Sequence, residues 1–193
     1  MTLDALEREI RAACDAKAWE QAATVAVRGY GPELLGYVNA ILRSPSDADD
    51  VFSIVCEKLW RGLPRFGWES SFRTWAYTVT RNACVSFARG SRDRVPVQLG
   101  SESLEAVVGA VRTQTATFLR TATKDKLAEI RASLDPDDQT LLILRIDRKL
   151  AWKDIARVFE PDAPTPAALD RRAAALRKRL ERLVGELRER LGR

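Results

Sequence analysis

The chain has 193 residues, enough for one large or two small domains, and a hydrophobic fraction of 46% supports a folded core. Lysine and arginine outnumber aspartate and glutamate by 32 to 27, a formal net charge of +5. The chain has no histidine, so it lacks the commonest general base and the commonest metal ligand. The composition therefore disfavours hydrolytic and metal-assisted catalysis, and we expect no cofactor and no metal site.

The cysteines and the hydropathy bear on compartment. Cys14, Cys56 and Cys84 stand singly, a pattern that predicts neither a disulfide framework nor a zinc knuckle. No apolar run approaches the length of a membrane span. Residues 1–11 mix acidic, basic and apolar groups, unlike a signal peptide. We expect a cytoplasmic protein with no membrane partner.

Apolar residues recur at helical spacing through nearly all of the chain, and strand-like alternation is absent, so the fold is predicted to be all-α. A helix is predicted from Asp47 to Trp60, with aspartates in its first turn, where the helix dipole favours them. Gly62 and Pro64 end it. Ser70 or Ser71 then caps a helix whose predicted buried face carries Phe72, Trp75, Ala76, Val79, Ala83 and Phe87.

The composition changes after Gly90. Residues 95–123 are predicted to be a flexible linker, with a helical patch formed by Leu104, Val107, Val108 and Val111. Helices resume at Asp135 and Pro136, and Leu141, Leu142, Leu144 and Ile146 are predicted to be buried. The sequence thus predicts two helical domains, residues 1–94 and 124–193, on either side of the linker.

The last helices have clear boundaries. Trp152 to Phe159 is predicted to be a short helix with Ile155, Ala156 and Phe159 facing inward. Thr165 followed by Pro166 predicts an N-cap and a first-turn proline for the final helix. The predicted buried stripe of that helix is Leu169, Ala173, Leu176, Leu180, Leu183, Leu187 and Leu191.

Two basic clusters point to nucleic acid. Arg73, Tyr77 and Arg81 recur every four residues, and the shared face is predicted to be solvated, with cations for a phosphate backbone and a ring for stacking on unpaired bases. The second cluster lies on the final helix and comprises Arg171, Arg172, Arg177, Lys178 and Arg179. A short helix, a turn and a basic helix predict a helix-turn-helix. An ordinary polar surface is the alternative for both.

An acidic helix precedes the first basic one. This part of the chain has few basic residues, Arg43 and Lys58, to balance the acidic Asp47, Asp49, Asp50 and Glu57. Neighbouring helices of opposite charge indicate two partners, one a protein and the other DNA.

Two segments together resemble one family. DADDVFSIVCEKLW (residues 47–60) followed by FGWESSFRTWAYTVTRN (66–82) resembles region 2 of extracytoplasmic-function sigma factors. LDPDDQTLLILRIDRKLAWKDIARVF (134–159) and the basic segment up to Leu180 resemble region 4. The resemblance covers roughly residues 30–92 and 127–187, in the family's order. Residues 1–29 lie outside it and are predicted to form one or two extra helices.

The resemblance implies a sigma factor that is not an enzyme. Such a protein binds core RNA polymerase and directs it to the minus 35 and minus 10 elements of promoter DNA, starting transcription. It is expected to be a monomer when free, and many members are held inactive by an anti-sigma factor.

The family's functional residues carry over to matching positions. The implied polymerase-docking residues are Asp47, Asp49, Asp50, Ser53, Ile54 and Glu57. Those for the opened minus 10 strand are Arg65, Phe66, Trp68, Glu69, Ser70, Ser71, Arg73, Tyr77, Arg81 and Asn82. Those for the minus 35 duplex are Thr165, Ala168, Arg171, Arg172 and Lys178.

Two features depart from the family. Ser53 and Ile54 stand where the family usually has a glutamine-glutamate pair, which puts the docking contacts in doubt. The turn from Glu160 to Pro164 is longer than usual, which puts the register of the recognition helix in doubt.

Rival interpretations remain. The protein could be another helix-turn-helix regulator, or the heptad-spaced leucines from Leu169 to Leu187 could form a zipper-like dimer that holds DNA with a basic helix. An enzyme acting on nucleic acid would need carboxylates that converge on metal ions. Asp47, Asp49 and Asp50 are the candidates, but spacings of two and three do not place them on one helical face.

Overall fold

A computed structural model describes residues 2–90, 102–121, 129–131, 133–163 and 165–192. All regular elements within those residues are helical, as the sequence predicted. The chain divides into two compact units, Met1–Ala122 and Thr123–Arg193. In the described part of the chain, no helix combines the length and the hydropathy that a membrane span needs.

The helices are numbered in chain order. Those of the first unit are α1 (Leu3–Asp15), α2 (Trp19–Leu42), α3 (Pro45–Gly62), α4 (Phe72–Ala88) and α5 (Glu102–Thr121), with a 3-10 turn at Leu63–Arg65. Those of the second unit are α6 (Pro136–Leu142), α7 (Trp152–Phe159) and α8 (Pro166–Gly192). A π-helical turn, Ile143–Asp147, continues α6.

Local signals set several helix starts. Ser71 caps α4 by accepting a hydrogen bond from Thr74 N at 3.1 Å, and Thr165 caps α8 by accepting one from Ala168 N at 3.1 Å, so both predictions are confirmed. Helix α3 starts two residues before the predicted Asp47. Ser44 accepts from Asp47 N at 3.3 Å, and Pro45 follows in the first turn, where it needs no donor.

The core of the first unit surrounds α2, which packs against α1, α3, α4 and α5. Tyr37, Phe52, Phe72 and Tyr77 are among its largest fully buried side chains. The three cysteines are free thiols, and all three are buried. Burial raises the pKa of the Cys56 and Cys84 thiols to about 12, so both are inert neutral core groups.

The predicted linker is wrong for its described part. Residues 102–121 form the long helix α5, which extends the predicted helical patch and packs against α2 and α3. Leu104, Val108 and Val111 are buried there, and Val111 lies so close to Gly31 of α2 that a Cβ at Gly31 would be 3.0 Å from Val111 Cγ2. The segment therefore belongs to the core of the first unit.

Removing an α5 anchor should destabilise this unit. Leu104 is 0% exposed, and Leu104→Ala is expected to lower the free energy of unfolding by about 2–5 kcal/mol through lost burial and a residual cavity. Leu3→Ala is the matched control, because Leu3 is 50% exposed. Urea unfolding measures both. Equal midpoints for the two variants would mean that α5 does not pack on α2 in solution.

The second unit is built on α8. Its predicted buried stripe is confirmed for Leu169, Ala173, Leu176, Leu180, Leu183 and Leu187. Because these leucines are buried within a single chain, they do not form an exposed zipper seam, and the zipper-like interpretation loses its basis. In α7, the inward positions Ile155, Ala156 and Phe159 are confirmed.

Ile146 corrects one prediction. It was predicted to be buried, but it is 46% exposed, while Ile143 is buried. The π-helical turn has more residues per turn than an α-helix, so it rotates the following residues off the buried face.

Arg179 joins the middle of the last helix to the start of α6. Its Nε donates to Asp138 Oδ1 at 2.5 Å, and its Nη2 donates to Asp135 Oδ1 at 3.3 Å, so α8 grips the start of α6. The hydrogen bond to Asp138 raises the pKa of Arg179, more than burial lowers it, and nearby Asp137 adds to the rise. This member of the predicted basic cluster is therefore a structural group.

Candidate functional site

The acidic face of α3 lies at the surface. Asp49 and Asp50 are exposed, whereas Asp47, Ser53, Ile54 and Glu57 are half-buried. Glu57 forms an ion pair with Arg61 at 2.9 Å one turn later. The structure thus brings the six predicted docking residues together on the solvent side of one helix.

Part of this face is already in contact with α5. Arg112 Nη2 donates to the Asp49 carbonyl oxygen at 2.8 Å and also to Ser53 Oγ, while its Nε lies 3.8 Å from Asp49 Oδ1. The sequence gave no signal for this contact, because Arg112 lies far along the chain in the segment predicted as a linker. Arg112 therefore already occupies part of the docking face, at Asp49 and Ser53.

The loop before α4 has an aromatic interior. Phe66 stacks on Trp75 with ring centroids 4.7 Å apart, and Trp68 lies 4.8 Å from Phe66 in a tilted arrangement. Trp68 has a φ of 56°, a left-handed conformation that costs energy for a residue with a side chain. Phe66 and Trp68 are half-buried, while Arg65, Glu69 and Ser71 are exposed and Ser70 is half-buried.

The predicted solvated stripe on α4 is wrong for two residues. Tyr77 is 0% exposed and packs edge to face on Tyr37, with centroids 5.8 Å apart. Arg73 is half-buried and donates from Nε and Nη2 to the two carboxylate oxygens of Glu33, each at 2.8 Å. Because α4 packs against both α2 and α3, its buried face is wider than the single predicted stripe. Tyr77 therefore cannot stack on a base without unfolding.

Arg73 is committed to this internal pair. Burial alone lowers the pKa of its guanidinium, but the hydrogen bonds and charge of Glu33 outweigh burial and raise it. The bidentate pair joins α4 to α2 at part-buried depth, where such pairs are geometrically specific. Arg81, the third residue of the predicted stripe, is half-buried like Arg73, and the neighbouring Asn82 is exposed.

The first turns of α8 carry the predicted duplex-binding residues. Thr165, Arg171 and Lys178 are exposed, and Ala168 is half-buried. Arg172 is oriented differently. Its Nε lies 3.2 Å from Glu160 Oε1, and its guanidinium lies over the Phe159 ring at 5.7 Å. The turn between α7 and α8 thus holds Arg172 and leaves Arg171 outward.

Two arginine side chains lie over the ring of Trp152, at the start of α7. The Arg145 guanidinium lies 5.0 Å and that of Arg177 lies 5.4 Å from the Trp152 ring centroid. Arg145 also donates to the Leu150 carbonyl oxygen at 2.9 Å. Arg177 belongs to the predicted basic cluster of the final helix, and this contact links it to α7.

Comparison with known proteins now adds to this geometry. A family model described as sigma-70 region 2 matches residues 26–94, from within α2 to beyond α4. The chain is 31% identical over 77 residues to the ECF RNA polymerase sigma factor SigG of Mycobacterium tuberculosis, in strains CDC 1551 / Oshkosh and H37Rv. That alignment covers 39% of this chain and 21% of SigG.

A second relative is matched over a longer segment. The chain is 29% identical over 134 residues to the RNA polymerase sigma factor YlaC of Bacillus subtilis strain 168, which covers 68% of this chain and 76% of YlaC. Over the matched segments the chain is thus similar to sigma factors of the sigma-70 family, SigG among them named as extracytoplasmic-function. Helix α1 precedes the region 2 match and α5 follows it.

Sequence reasoning missed three residues at the candidate site. Glu33 neutralises Arg73, Arg112 contacts the docking face, and Glu7 of α1 binds the first residues of α4. Each of these contacts joins residues that are at least 40 positions apart in the sequence. Periodicity and capping patterns carry no information at that separation.

Proposed function

We propose that this chain is a sigma factor of the sigma-70 family that binds core RNA polymerase, directs it to minus 35 and minus 10 promoter elements to start transcription, and catalyses no reaction itself. The chain spans only 21% of the length of SigG, so these activities are proposals. They are based on the surfaces of this chain as well as on its similarity to sigma factors. It would act where the polymerase acts, in the cytoplasm, and an anti-sigma factor is an expected regulatory partner.

One observation carries the proposal. A region 2 segment with an exposed acidic helix, α3, stands in the same chain as two helices, α7 and α8, whose connecting turn leaves Arg171 and Lys178 exposed on the second helix. The acidic surface suits a basic protein partner, and the basic helix suits a DNA duplex. The chain therefore offers an acidic surface for polymerase on the first unit and a basic surface for duplex promoter DNA on the second.

Run-off transcription tests the proposal. Core polymerase with the full chain is expected to produce discrete transcripts from genomic fragments that core polymerase alone does not produce. The chain without polymerase, incubated with the same DNA and magnesium, is the control for a nuclease. The absence of chain-dependent transcripts from any fragment, or DNA cleavage by the chain alone, would contradict the proposal.

The minus 35 assignment gives a finer prediction. Arg171 is exposed one to two turns into α8, and an arginine there can make a bidentate contact with guanine. Arg171→Ala is therefore expected to cost about 1–3 kcal/mol of binding free energy on the cognate element and to relax the preference at one base pair. Lys178→Ala is expected to weaken binding to all sequences alike and to reduce the salt slope by about one. Binding of the holoenzyme to a library of minus 35 variants measures both.

Arg172→Ala completes this set, because Arg172 contacts Glu160 and Phe159 in the free protein. Its assignment as a base-contacting residue requires release from Glu160. We expect Arg171→Ala to alter base preference more than Arg172→Ala does. The opposite order would mean that the register of α8 on the duplex differs from the one proposed.

A further inference from the structure

Helix α1 precedes the region 2 match and yet contacts the loop and helix assigned to the minus 10 strand. Glu7 Oε2 accepts a hydrogen bond from Phe72 N at 2.8 Å, and Glu7 Oε1 accepts one from Arg73 N at 2.9 Å. The hydroxyl of Tyr30 donates to the same Oε1 at 2.8 Å. One carboxylate therefore joins α1 and α2 to the first turn of α4.

A second contact from α1 reaches the loop itself. The Arg11 guanidinium lies over the Trp68 ring, 5.1 Å from its centroid, one turn along α1 from Glu7. Trp68 is the loop residue in the left-handed conformation, and such a conformation persists only where surrounding contacts impose it. Arg11 thus supports the loop at its most strained position.

The placement of α1 is closely fixed by packing. A Cβ at Gly29 of α2 would lie 2.4 Å from Leu6 Cδ2, so any other residue at this position would displace the Leu6 side chain of α1. Leu6 and Ile10 are buried on either side of Glu7, and Tyr30 stacks on Phe72 with centroids 5.9 Å apart. Burial raises the pKa of Tyr30, and its hydrogen bond to Glu7 raises it further, so the hydroxyl stays a donor at all physiological pH values.

The carboxylate also decides what can bind at this helix end. The first amides of a helix, at its positive dipole end, attract anions, including the phosphates of nucleic acid. At α4 two of those amides already donate to Glu7, and its negative charge repels a second anion. A DNA strand at this loop is therefore bound through contacts between its bases and the loop side chains. Its phosphates do not bind the α4 amides.

We propose that Glu7 is a positioning residue for the minus 10 strand, and that through Glu7 and Arg11 helix α1 sets the conformation of residues 65–71 in which the opened strand is bound. This inference rests on the proposed function. Glu7 acts through α4 and the loop and does not itself contact DNA. The sequence-specific part of minus 10 recognition thus depends on a helix that precedes the region 2 match.

The test compares two DNA ligands with the holoenzyme. The first is a single-stranded oligonucleotide that carries the minus 10 element, and the second is a duplex that carries only the minus 35 element. Glu7→Gln keeps the side-chain shape but replaces one acceptor with a donor facing a backbone amide. It is expected to weaken binding of the single strand about tenfold, since hydrogen bonds to a charged group are lost, and to leave the minus 35 duplex unchanged. Glu9→Gln, the same change at an exposed position of α1, is expected to change neither.

Each outcome has a definite meaning. A purely structural role for Glu7 would reduce the folded fraction and weaken both ligands equally, which would overturn the proposal, as would unchanged binding of the single strand. If Glu7→Gln does not fold, Arg11→Ala replaces it, because Arg11 is exposed. It is expected to weaken the single strand about threefold through the lost cation–π contact, and no change would again overturn the proposal. If the wild-type holoenzyme binds neither DNA specifically, the proposed function itself fails.

Discussion

Tyr77→Ala is expected to destabilise the first unit by about 3–5 kcal/mol, as deletion of a large buried aromatic side chain does. The ring is 0% exposed, packs edge to face on Tyr37 at 5.8 Å and lies 5.9 Å from the Arg73 guanidinium. Its removal leaves a cavity between α4 and α2 and removes the ring from beside the Arg73–Glu33 pair. Urea unfolding followed by circular dichroism measures the loss.

Tyr77→Phe is the matched control. It retains the ring and its edge-to-face contact with Tyr37 and removes only the hydroxyl, so we expect a much smaller loss than for Tyr77→Ala. Since Tyr77 is part of the core, Tyr77→Ala is expected to impair polymerase binding and promoter opening together. A variant of unchanged stability that had lost only strand binding would instead support the stacking role predicted from the α4 stripe.

Charge reversal on α3 is expected to abolish binding of core polymerase. The double variant Asp49→Lys, Asp50→Lys changes four charge units on the proposed docking face, and like charges placed across an interface cost several kcal/mol, so the dissociation constant should rise at least about a hundredfold. Co-purification with core polymerase measures this, and circular dichroism verifies that the helix content is intact.

Single variants separate docking from the internal contact. Asp49 is held by Arg112, so Asp49→Lys places a second cation beside that guanidinium, whereas Asp50 is exposed. Asp50→Lys alone is therefore the cleaner test, with an expected weakening of at least about tenfold. Asp15→Lys, the same change at an exposed position of α1, is the control. If Asp50→Lys binds polymerase as the wild type does, the docking surface lies on another face of the first unit.

Local patterns predicted much of this protein. The N-caps Ser71 and Thr165 bond with the third amide of their helices, a contact within one turn of chain, so sequence spacing alone suffices to find them. The leucines of α8 and the inward residues of α7 lie on helices that are buried along one face. In such a helix the apolar residues that recur every 3.6 positions are also the buried ones. The family resemblance likewise rests on linear motifs.

Tertiary packing decided the rest, because burial and pairing depend on which helices meet. Tyr77 lies on a face that a one-sided helix would expose, and it is buried because α4 packs against two helices. The sequence predicted that Arg73 is available to DNA, but in the fold it pairs with Glu33, which is 40 residues away in the sequence. Arg112 and Glu7 gave no local signal, since their partners on α3 and α4 are 59 to 66 residues distant. The sequence by itself determined most of the helices, the caps of α4 and α8 and the family resemblance; only the fold decided which charged and aromatic side chains remain available to polymerase and DNA.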